Sequence, residues 1–557
     1  MTRESRFIPK FSNPRKKIYD NYRMTLEILI ILLYLALMLA IGFIVQRRGG
    51  VETSKGYLVA NRNVGPFLIG GTLFATFWGG GTLLGGAGAA YGGHMLATIA
   101  DPWASGITLL LMAVFFATIL RKMKIASLGE MYYLRYGTRG ALIASVLSLP
   151  TLLFWTSVQI LAIGKILNVL IGLPGPESAA IAGLIVIVYT YLGGMLAVII
   201  TDNIQMVLIL LGLAFLIPAG IAYVGGFDVI AANTPTDFWS ILPSDASPSG
   251  LGWTVTGIMA WFAAWCGMGL GSLASLDISQ RVFCARDDRA AKQGLVFGAG
   301  MYWVAGLGPI FLGLLGIVMV NTGMIDGALL AEDPELIVPF LAKMLLSPWM
   351  MAIFVGSLMA AIMSTASSAI FASAAVISTT IVHGAVSDHI KDEKSVLRFT
   401  RFLVVVIGLF SVGISFVAPG LYDLMIFGFT LLFSCLFWAL VCGLFWKRAN
   451  APGAIASMAG GLLTTILGAV VLSVQQGAPT LVPPDNEWTV FFTFCPTIVA
   501  GIAMYAVSLL TQKTHPPVPL KDTDGAILKW PDLDTAAVVT EKGYPVARAS
   551  AVGGEEE

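Results

Sequence analysis

The chain has 557 residues, of which 57% are hydrophobic and 12% are charged, and its formal net charge is +1. Many windows of about twenty apolar residues exclude a soluble globular protein and predict a polytopic membrane protein. The five cysteines have neither metal-like nor disulfide-like spacing, and no two of the four histidines form a pair. The composition therefore indicates neither a zinc centre nor a catalytic dyad.

The N-terminal segment differs from the rest of the chain. Residues 1–23 carry seven basic residues and are followed directly by Met24 and the first apolar span. We interpret residues 1–23 as an extra leader that is not translated if synthesis starts at Met24, and an amphipathic cytoplasmic leader is the alternative. Residues 24–64 then form the first flanking helix and its loop.

Hydropathy predicts thirteen helical spans. Their approximate bounds are 26–45, 65–90, 98–120, 140–170, 178–194, 196–224, 252–277, 294–321, 346–382, 399–418, 421–446, 452–474 and 489–511. With the N-terminus outside, the inner loops and tail carry 24 basic residues, against Lys165 and Lys343 on the outer side. The positive-inside rule therefore predicts a plasma (inner) membrane protein with a cytoplasmic C-terminus.

Glycine is concentrated in two of these spans. The second span contains Gly79, Gly80 and Gly81, and the seventh has glycines at 267, 269 and 271. Each of these spans is the first of five, in 65–224 and in 252–446. An odd number of spans inverts the second repeat, and transporters with this plan break the first helix of each repeat near a midplane site. Close helix packing is the alternative explanation of the glycines.

The remaining segments connect or flank the two repeats. Residues 225–251 form an extracellular loop, and 447–511 form two C-terminal flanking helices. Residues 512–557 are polar and end in three glutamates, so we expect a disordered cytoplasmic tail.

A run of hydroxyl side chains lies in the middle of the ninth span. It reads Ser364-Thr365-Ala366-Ser367-Ser368. A buried hydroxyl without a partner costs roughly 1–3 kcal/mol, so each of these groups needs one. One possibility is that Ser364 and Thr365 bond the Ala361 carbonyl within their own helix. The other is that these three oxygens converge on a hard monovalent cation.

Four groups of segments carry a family resemblance. They are Ala75-Thr76 and Gly85 to Tyr91, Gly193 to Val198 with Thr201 to Gln205, Gln280-Arg281-Val282, and Met363-Ser364-Thr365. Through these segments, the chain resembles the sodium:solute symporter family from about residue 26 to residue 450. The resemblance implies an all-α LeuT-type fold, a five-plus-five inverted repeat with flanking helices. It also implies a sodium site formed by the carbonyls of Ala75, Trp78 and Ala361 and the hydroxyls of Ser364 and Thr365.

The resemblance assigns further roles. Asp202 matches a family aspartate near the sodium site and is expected to favour sodium electrostatically, although an ordinary interfacial carboxylate is the alternative. Ser367 stands where some members have an aspartate that binds a second sodium, which favours one sodium per solute. Asp277 and Gln280 are candidates for the inner gate.

The solute is less well defined. Candidate pocket residues are Phe77, Gly79, Gly80, Gly81, Tyr91, Trp155, Trp261 and Trp265. The glycine stretch is most similar to the choline transporter branch, and aromatic side chains can enclose a quaternary amine. The resemblance aligns Phe77 and Trp155 with two cage tryptophans of that branch and Ser275 with about the position of a third, so the cage would be incomplete. Amides freed at residues 79–81 can instead receive a carboxylate, as in a monocarboxylate, pantothenate or an amino acid.

We therefore predict a secondary active transporter that moves a small organic solute into the cell together with Na⁺ by alternating access. A proton-coupled permease of the same fold and a transporter-like membrane sensor are the alternatives. The spans contain almost no convergent titratable groups, so the chain is not expected to be an enzyme. No cofactor is expected, and Na⁺ is a co-transported ion. The expected partners are the solute, Na⁺ and the lipid bilayer, without nucleic acid.

Overall fold

The computed structural model describes residues 59–528, except 193–194, 385–392, 418–419 and 478–482, and a few single positions before residue 59. The predicted leader, the Met24 start and nearly all of the first span lie outside the described residues. The same holds for Gly193 and Gly194, and for the tail beyond residue 528.

The described chain is helical. The main helices are α1 (Pro66–Phe77), α2 (Gly81–Gly93), α3 (Met95–Lys122), α4 (Leu128–Ile171), α5 (Gly175–Leu192), α6 (Met195–Tyr223), α7 (Val255–Gly271), α8 (Leu276–Cys284), α9 (Asp288–Asn321), α10 (Pro348–Gly384), α11 (Glu393–Ser415), α12 (Leu421–Cys435), α13 (Phe437–Phe445), α14 (Ala451–Gln476) and α15 (Asn486–Leu510). Short helices in the connections are Phe227–Asn233, Ala328–Glu332 and Ile337–Leu345.

The number of membrane spans is lower than predicted in the described part of the chain. Nine helices there are long and apolar enough to cross a membrane, and two bent pairs, α1 with α2 and α12 with α13, raise the number to eleven. The fifth predicted span is a shorter apolar helix, Gly175–Val188. The polytopic helical class is thus confirmed, whereas the count of thirteen is not.

The first helix of the first repeat is broken at its glycines. The Gly79 N–H bonds the Phe77 carbonyl at 2.8 Å instead of the Ala75 carbonyl, which a continuous helix would use. The Gly80 N–H bonds Gln159 Oε1 at 2.8 Å. The axes of α1 and α2 consequently differ by 60°. The predicted break in this span is confirmed, and it leaves the Ala75 carbonyl without its helical partner.

The seventh span breaks later than its glycines suggest. Helix α7 runs through them and ends at Gly271, and α8 begins after Ser275, whose ψ of 133° is extended. The glycines serve close packing, because an added Cβ would lie 2.7 Å from Thr430 Oγ1 at Gly267 and 2.2 Å from the Phe429 carbonyl at Gly271. For this segment the packing alternative is correct.

The helix with the hydroxyl run lies at the centre of the bundle. In the most apolar window of α10, 94% of the residues are buried, against 33% in α14 and 39% in α15. Helix α10 packs against α4, α6 and α1. Hydroxyls that are buried this deeply have protein groups or bound ions as partners rather than bulk water.

The beginning of the predicted tail packs against the connection between α3 and α4. The Thr523 N–H donates to the Met123 carbonyl at 3.1 Å. Lys124 forms ion pairs with Asp522, at 3.1 Å, and with Asp524. Residues 512–528 therefore have defined positions beside the end of α3.

Candidate ion and solute site

The hydroxyl run on α10 meets the broken end of α1. Thr365 Oγ1 lies 3.0 Å from the Ala75 carbonyl oxygen and 3.0 Å from the Ala361 carbonyl oxygen. Three oxygens from the two repeats therefore converge here. Thr365 has a single hydroxyl hydrogen, which cannot satisfy both carbonyl oxygens fully. The hydrogen bond of Thr365 to Ala361 is the within-helix bond that the sequence suggested as one possibility. The contact of Thr365 with Ala75 joins α10 to α1, which a within-helix bond does not explain.

The two other predicted ligands are Trp78, three residues after Ala75, and Ser364, which precedes Thr365. Trp78 follows α1 with a ψ of 70°, so its carbonyl does not continue the helical hydrogen-bond pattern. The Trp78 side chain is buried and stacks on Phe74, with 5.0 Å between the ring centroids. Ser364 is buried on α10 and donates its hydroxyl hydrogen to Asp202. The lone pairs of Ser364 Oγ are therefore free to face a cation.

Asp202 lies in a charge-balanced polar layer behind Ser364. Its second carboxylate oxygen accepts a hydrogen bond from Thr72 at 2.5 Å and lies 4.0 Å from Arg281 Nη2. Arg281 also donates to the Asp277 carbonyl at 2.9 Å and to Ser368 Oγ at 2.7 Å. Asp202 and Arg281 are both buried. The layer joins α6, α8, α10 and α1 next to the converging oxygens.

Several candidate solute residues meet at the break. An added Cβ would lie 2.5 Å from Gln159 Oε1 at Gly79 and 3.5 Å from the Trp155 ring at Gly81. Gln159 and Trp155 are one turn apart on α4, and both are buried. In the described part of the chain, neither Trp155 Nε1 nor Gln159 Nε2 has a hydrogen-bond partner. The break is thus bordered by two buried donors.

Three of the candidate aromatic residues lie away from the break. Tyr91 packs near the far end of α2, where a Cβ added to Gly316 of α9 would lie 3.3 Å from its ring. Trp261 and Trp265 belong to a separate apolar cluster with Leu96, and Trp261 Nε1 donates to the Ile241 carbonyl at 2.8 Å. The structure does not bring these side chains together with Phe77 and Trp155.

The two inner-gate candidates lie on α8. The Asp277 carboxylate accepts hydrogen bonds from Ser275 and from the Ile278 N–H, which fixes the start of this helix. Gln280 is buried, and its Oε1 has no partner among the described residues. Helix α8 ends at Cys284, whose carbonyl accepts from the Val64 N–H at 3.1 Å, just before α1.

Sequence reasoning missed Thr72, Gln159 and a second oxygen cluster beside the break. This cluster contains Asp101, Thr82 and Tyr302. Thr72 and Gln159 lie in helical patterns with no local signal for their partners. Asp101 had a signal, because a carboxylate inside an apolar span is by default a candidate for function.

Known proteins resemble this chain in sequence and in fold. The sequence profile of the sodium:solute symporter family matches residues 57–461. The sodium/pantothenate symporter of Haemophilus influenzae is 27% identical over 449 residues, which are 78% of this chain and 90% of that protein. High-affinity choline transporter 1 of Caenorhabditis elegans is 26% identical over 489 residues, 84% of this chain and 80% of that protein.

A solved structure shares the fold. It is the substrate-bound, outward-open state of a Na⁺-coupled sialic acid symporter, with a TM-score of 0.68 and 20% sequence identity. The match covers 87% of this chain and 97% of that one. The profile match spans far more than half of the chain and includes both repeats and the converging oxygens. The chain therefore belongs to the sodium:solute symporter family.

Proposed function

We propose that one Na⁺ binds between the break of α1 and helix α10 and enters the cell together with a carboxylate-bearing solute. Sodium-coupled symport of a small organic solute is the activity of this family, and it is transport rather than catalysis. The ligands in this proposal are the carbonyls of Ala75, Trp78 and Ala361 and the hydroxyls of Ser364 and Thr365.

The observation that carries the sodium site is the contact of Thr365 Oγ1 with carbonyls from both repeats, at 3.0 Å each. Neutral oxygens of this kind suit a hard monovalent cation. Asp202 supports the proposal in two ways. It holds the Ser364 hydrogen away from the convergence point, and it places a carboxylate beside it. Arg281 balances this charge, which keeps the layer stable without the ion.

The position of the site explains how coupling arises. The sodium ligands come from α1 and α10, and the solute donors border residues 79–81 of the same break. Sodium fixes the conformation of the break, so the solute meets a formed pocket. Each ligand then raises the affinity for the other, typically by about 1–3 kcal/mol. Downhill sodium entry drives solute uptake, and about 2.3 kcal/mol per charge comes from each 100 mV of membrane potential.

Sodium binding can be tested without knowing the solute. Sodium raises the melting temperature of the purified protein if it binds only the folded state. We expect Thr365→Ala to raise the half-saturating sodium concentration about tenfold or more, because one ligand oxygen is lost. Thr365→Ser keeps the hydroxyl and is the matched control. If sodium stabilises Thr365→Ala and the wild type with equal half-saturation, Thr365 is not a ligand.

The solute class follows from the buried donors at the break. Trp155 Nε1 and Gln159 Nε2 need acceptors, since an unpaired buried donor costs about 1–3 kcal/mol. A carboxylate provides such acceptors, whereas the ammonium head of a quaternary amine does not. Trp261 and Trp265 lie in another cluster, which leaves the aromatic cage for an amine incomplete. This favours a carboxylate, including that of an amino acid, over a quaternary amine.

A panel of solutes distinguishes these classes. Pantothenate, proline and short carboxylates are compared with choline by thermal shift, in sodium and in N-methylglucamine. We expect sodium-dependent stabilisation by a carboxylate and none by choline. Stabilisation by choline but by no carboxylate would overturn the solute class and leave the sodium site intact.

We also propose the orientation predicted from the charges. Arg121, Lys122, Lys124, Arg286 and Arg289 surround one pocket at the end of α3 and the start of α9. Residues 518–528 lie on the same face, where the Val518 carbonyl accepts from Arg135. Lys165 pairs instead with Asp333 at 2.5 Å and Glu335 at 2.7 Å. The basic face supports a cytoplasmic C-terminus in the plasma membrane.

A further inference from the structure

A second cluster of buried oxygens lies on the other side of the break. Thr82 Oγ1 is 2.8 Å from the Phe77 carbonyl, 2.6 Å from Asp101 Oδ2 and 2.8 Å from the Tyr302 hydroxyl. Tyr302 Oη is 2.6 Å from Asp101 Oδ1. Asp101, Thr82 and Tyr302 are all buried. The cluster joins α2, α3 and α9 to the carbonyl of the last residue of α1.

The hydrogens of this cluster do not suffice for its contacts. Four oxygen–oxygen distances lie between 2.6 and 2.8 Å, the length of hydrogen bonds, and each hydrogen bond uses one hydrogen. Thr82 and Tyr302 bring one hydroxyl hydrogen each, and the Phe77 carbonyl and an ionised Asp101 bring none. If Thr82 donates to Phe77 and Tyr302 to Asp101, the 2.6 Å contact of Thr82 with Asp101 has no hydrogen. A proton on Asp101 Oδ2 supplies a hydrogen for this contact, so that three of the four contacts are hydrogen bonds and Thr82 and Tyr302 are neighbours through their shared partner Asp101.

The charges around Asp101 point in the same direction. The titratable groups that contact it are Tyr302 of α9 and Tyr422 of α12, whose hydroxyl lies 3.1 Å from the Asp101 carbonyl. Helix α7 packs alongside and contains Cys266 as its one titratable residue. His94, just before α3, lies against Asp237 at 3.4 Å. No Lys or Arg in the described ranges forms an ion pair with Asp101, unlike Asp202 with Arg281.

A proton is sufficient to neutralise the single carboxylate of this cluster. The contacts of 2.6–2.8 Å in this cluster have the length of hydrogen bonds. An uncompensated carboxylate inside the bundle is also costly unless it is neutralised.

We propose that Asp101 is a proton-binding site, occupied in this buried arrangement and linked to the sodium site through the break. The Phe77 carbonyl accepts from Thr82, and the Ala75 carbonyl, two residues earlier, accepts from Thr365. A change of protonation at Asp101 therefore alters the segment that supplies the sodium ligands. An ionised Asp101 favours a nearby cation, so sodium binds more tightly once the proton has left.

The proton is tested first by infrared spectroscopy on the purified protein at neutral pH without sodium. The difference between wild type and Asp101→Asn should contain the carbonyl band of a protonated carboxyl group, and this band should shift in D₂O. Tyr302→Phe, which removes the donor to Oδ1, should shift the same band. Asp237→Asn is the control and should leave it unchanged. Loss of ionised-carboxylate bands in Asp101→Asn, with no protonated band, would overturn the proposal.

A second measurement counts the proton. If the folded state holds one proton more than the unfolded state, the unfolding constant rises up to about tenfold per pH unit above the ordinary Asp range, near 4. Stability is then fully present at low pH and is lost as pH rises, until the folded protein also releases the proton. We expect this slope in the wild type and its loss in Asp101→Asn. Equal slopes in both proteins would contradict the proposal.

The link to sodium is tested by repeating the sodium titration of melting temperature at low and high pH. Half-saturating sodium should fall about fivefold or more from low to high pH in the wild type and stay constant in Asp101→Asn. Constancy in the wild type would overturn the link. This part rests on the proposed sodium site, whereas the infrared band does not, so failure of the one is distinguishable from failure of the other.

Discussion

The two oxygen clusters beside the break neutralise their aspartates differently. Asp202 has Arg281 at 4.0 Å and two hydroxyl donors, so its charge is balanced by protein groups. Asp101 has hydroxyl donors but no cationic partner in the described part of the molecule. In our proposals, the first cluster keeps an ionised carboxylate beside the neutral ligands of a sodium ion, and the second cluster holds a proton.

In our two proposals, one broken helix serves two ions. The break removes regular helical hydrogen bonds at the end of α1, and different neighbouring helices approach the carbonyls there. Helix α10 reaches the Ala75 carbonyl through Thr365, whereas Thr82 of α2 and Tyr302 of α9 contact the Phe77 carbonyl. According to the proposals, these neighbours and not the break determine which ion is bound.

The largest expected effect comes from removing the balance at Asp202. Asp202→Asn leaves the Arg281 guanidinium buried without its counter-charge, and breaking a buried pair in this way costs about 3–5 kcal/mol. We expect a large fall in melting temperature in sodium-free buffer, partly restored by the double variant with Arg281→Gln.

A matched control is available on the surface. Asp287→Asn removes the partner of Arg286, in a pair at 3.3 Å whose side chains are 58% and 54% exposed. Such exposed pairs contribute about 0–1 kcal/mol, and asparagine still caps α9. If Asp202→Asn lowers the melting temperature as little as Asp287→Asn does, the charge of Asp202 is not balanced by Arg281. The two clusters would then not differ in charge balance.

The segment between the clusters gives the next largest effect. In Gly80→Ala, the new Cβ would lie 2.1 Å from Ala162 Cβ, so α2 must move away from α4. Overpacking of this kind costs about 1–3 kcal/mol, and the shift displaces both freed carbonyls. We expect lower thermal stability and weaker sodium binding together.

Gly86→Ala is the control for this variant. Gly86 lies on α2, six residues after Gly80, and an added Cβ there has no atom within 4 Å. Alanine should stabilise α2 by about 0.5–1 kcal/mol relative to glycine. Equal behaviour of the two alanine variants would show that the contact of Gly80 with α4 does not hold the break.

The sequence predicts the sodium cluster better than the proton cluster for a physical reason. The hydroxyl run on α10 and the glycines at 79–81 are local patterns. The hydroxyls require polar partners for their helix, and the glycines predict a break in theirs. The resemblance of the chain to a family then pairs the two. Tyr302 and Asp101 are 201 residues apart, and the tyrosine has no local feature that indicates a carboxylate partner.

The seventh span shows the limit of local patterns. Its glycines resemble those of the second span, yet they allow close contacts with α12, and the chain breaks only at Ser275. The difference arises because Gln159 accepts from the Gly80 N–H and so stabilises the break at residues 79–81. That bond joins residues 79 positions apart and cannot be inferred from either helix alone.

The next prediction measures how strongly the two clusters influence each other. Tyr302→Phe removes a donor to Asp101, and Thr365→Ala removes a donor to Ala75. Both hydroxyls act on the segment around the break, Thr365 through the Ala75 carbonyl and Tyr302 through Asp101 and Thr82. We therefore expect the free energy of unfolding of the double variant to depart from additivity by at least about 0.5 kcal/mol. Thermal or denaturant unfolding of all four proteins gives this coupling. Strict additivity would show that the clusters are independent and would exclude a link between proton and sodium.

The smallest effect on stability is expected at Trp155, and it separates solute binding from folding. In Trp155→Phe, a buried N–H that has no partner in the described residues is removed, so stability should change by less than about 0.5 kcal/mol or rise slightly. Trp438→Phe is the matched control, because Trp438 Nε1 donates to the Thr497 carbonyl at 2.9 Å and its loss should cost about 1 kcal/mol.

The affinity for a carboxylate solute should show the opposite order. Trp155→Phe should weaken solute binding several-fold, because it removes the indole N–H that we propose to bind the carboxylate. Trp438→Phe should leave solute binding unchanged. If Trp155→Phe loses stability as Trp438→Phe does while solute affinity is retained, the Trp155 indole is paired inside the protein. The glycine break would then receive the solute through other groups, and the preference for a carboxylate would lose its main support.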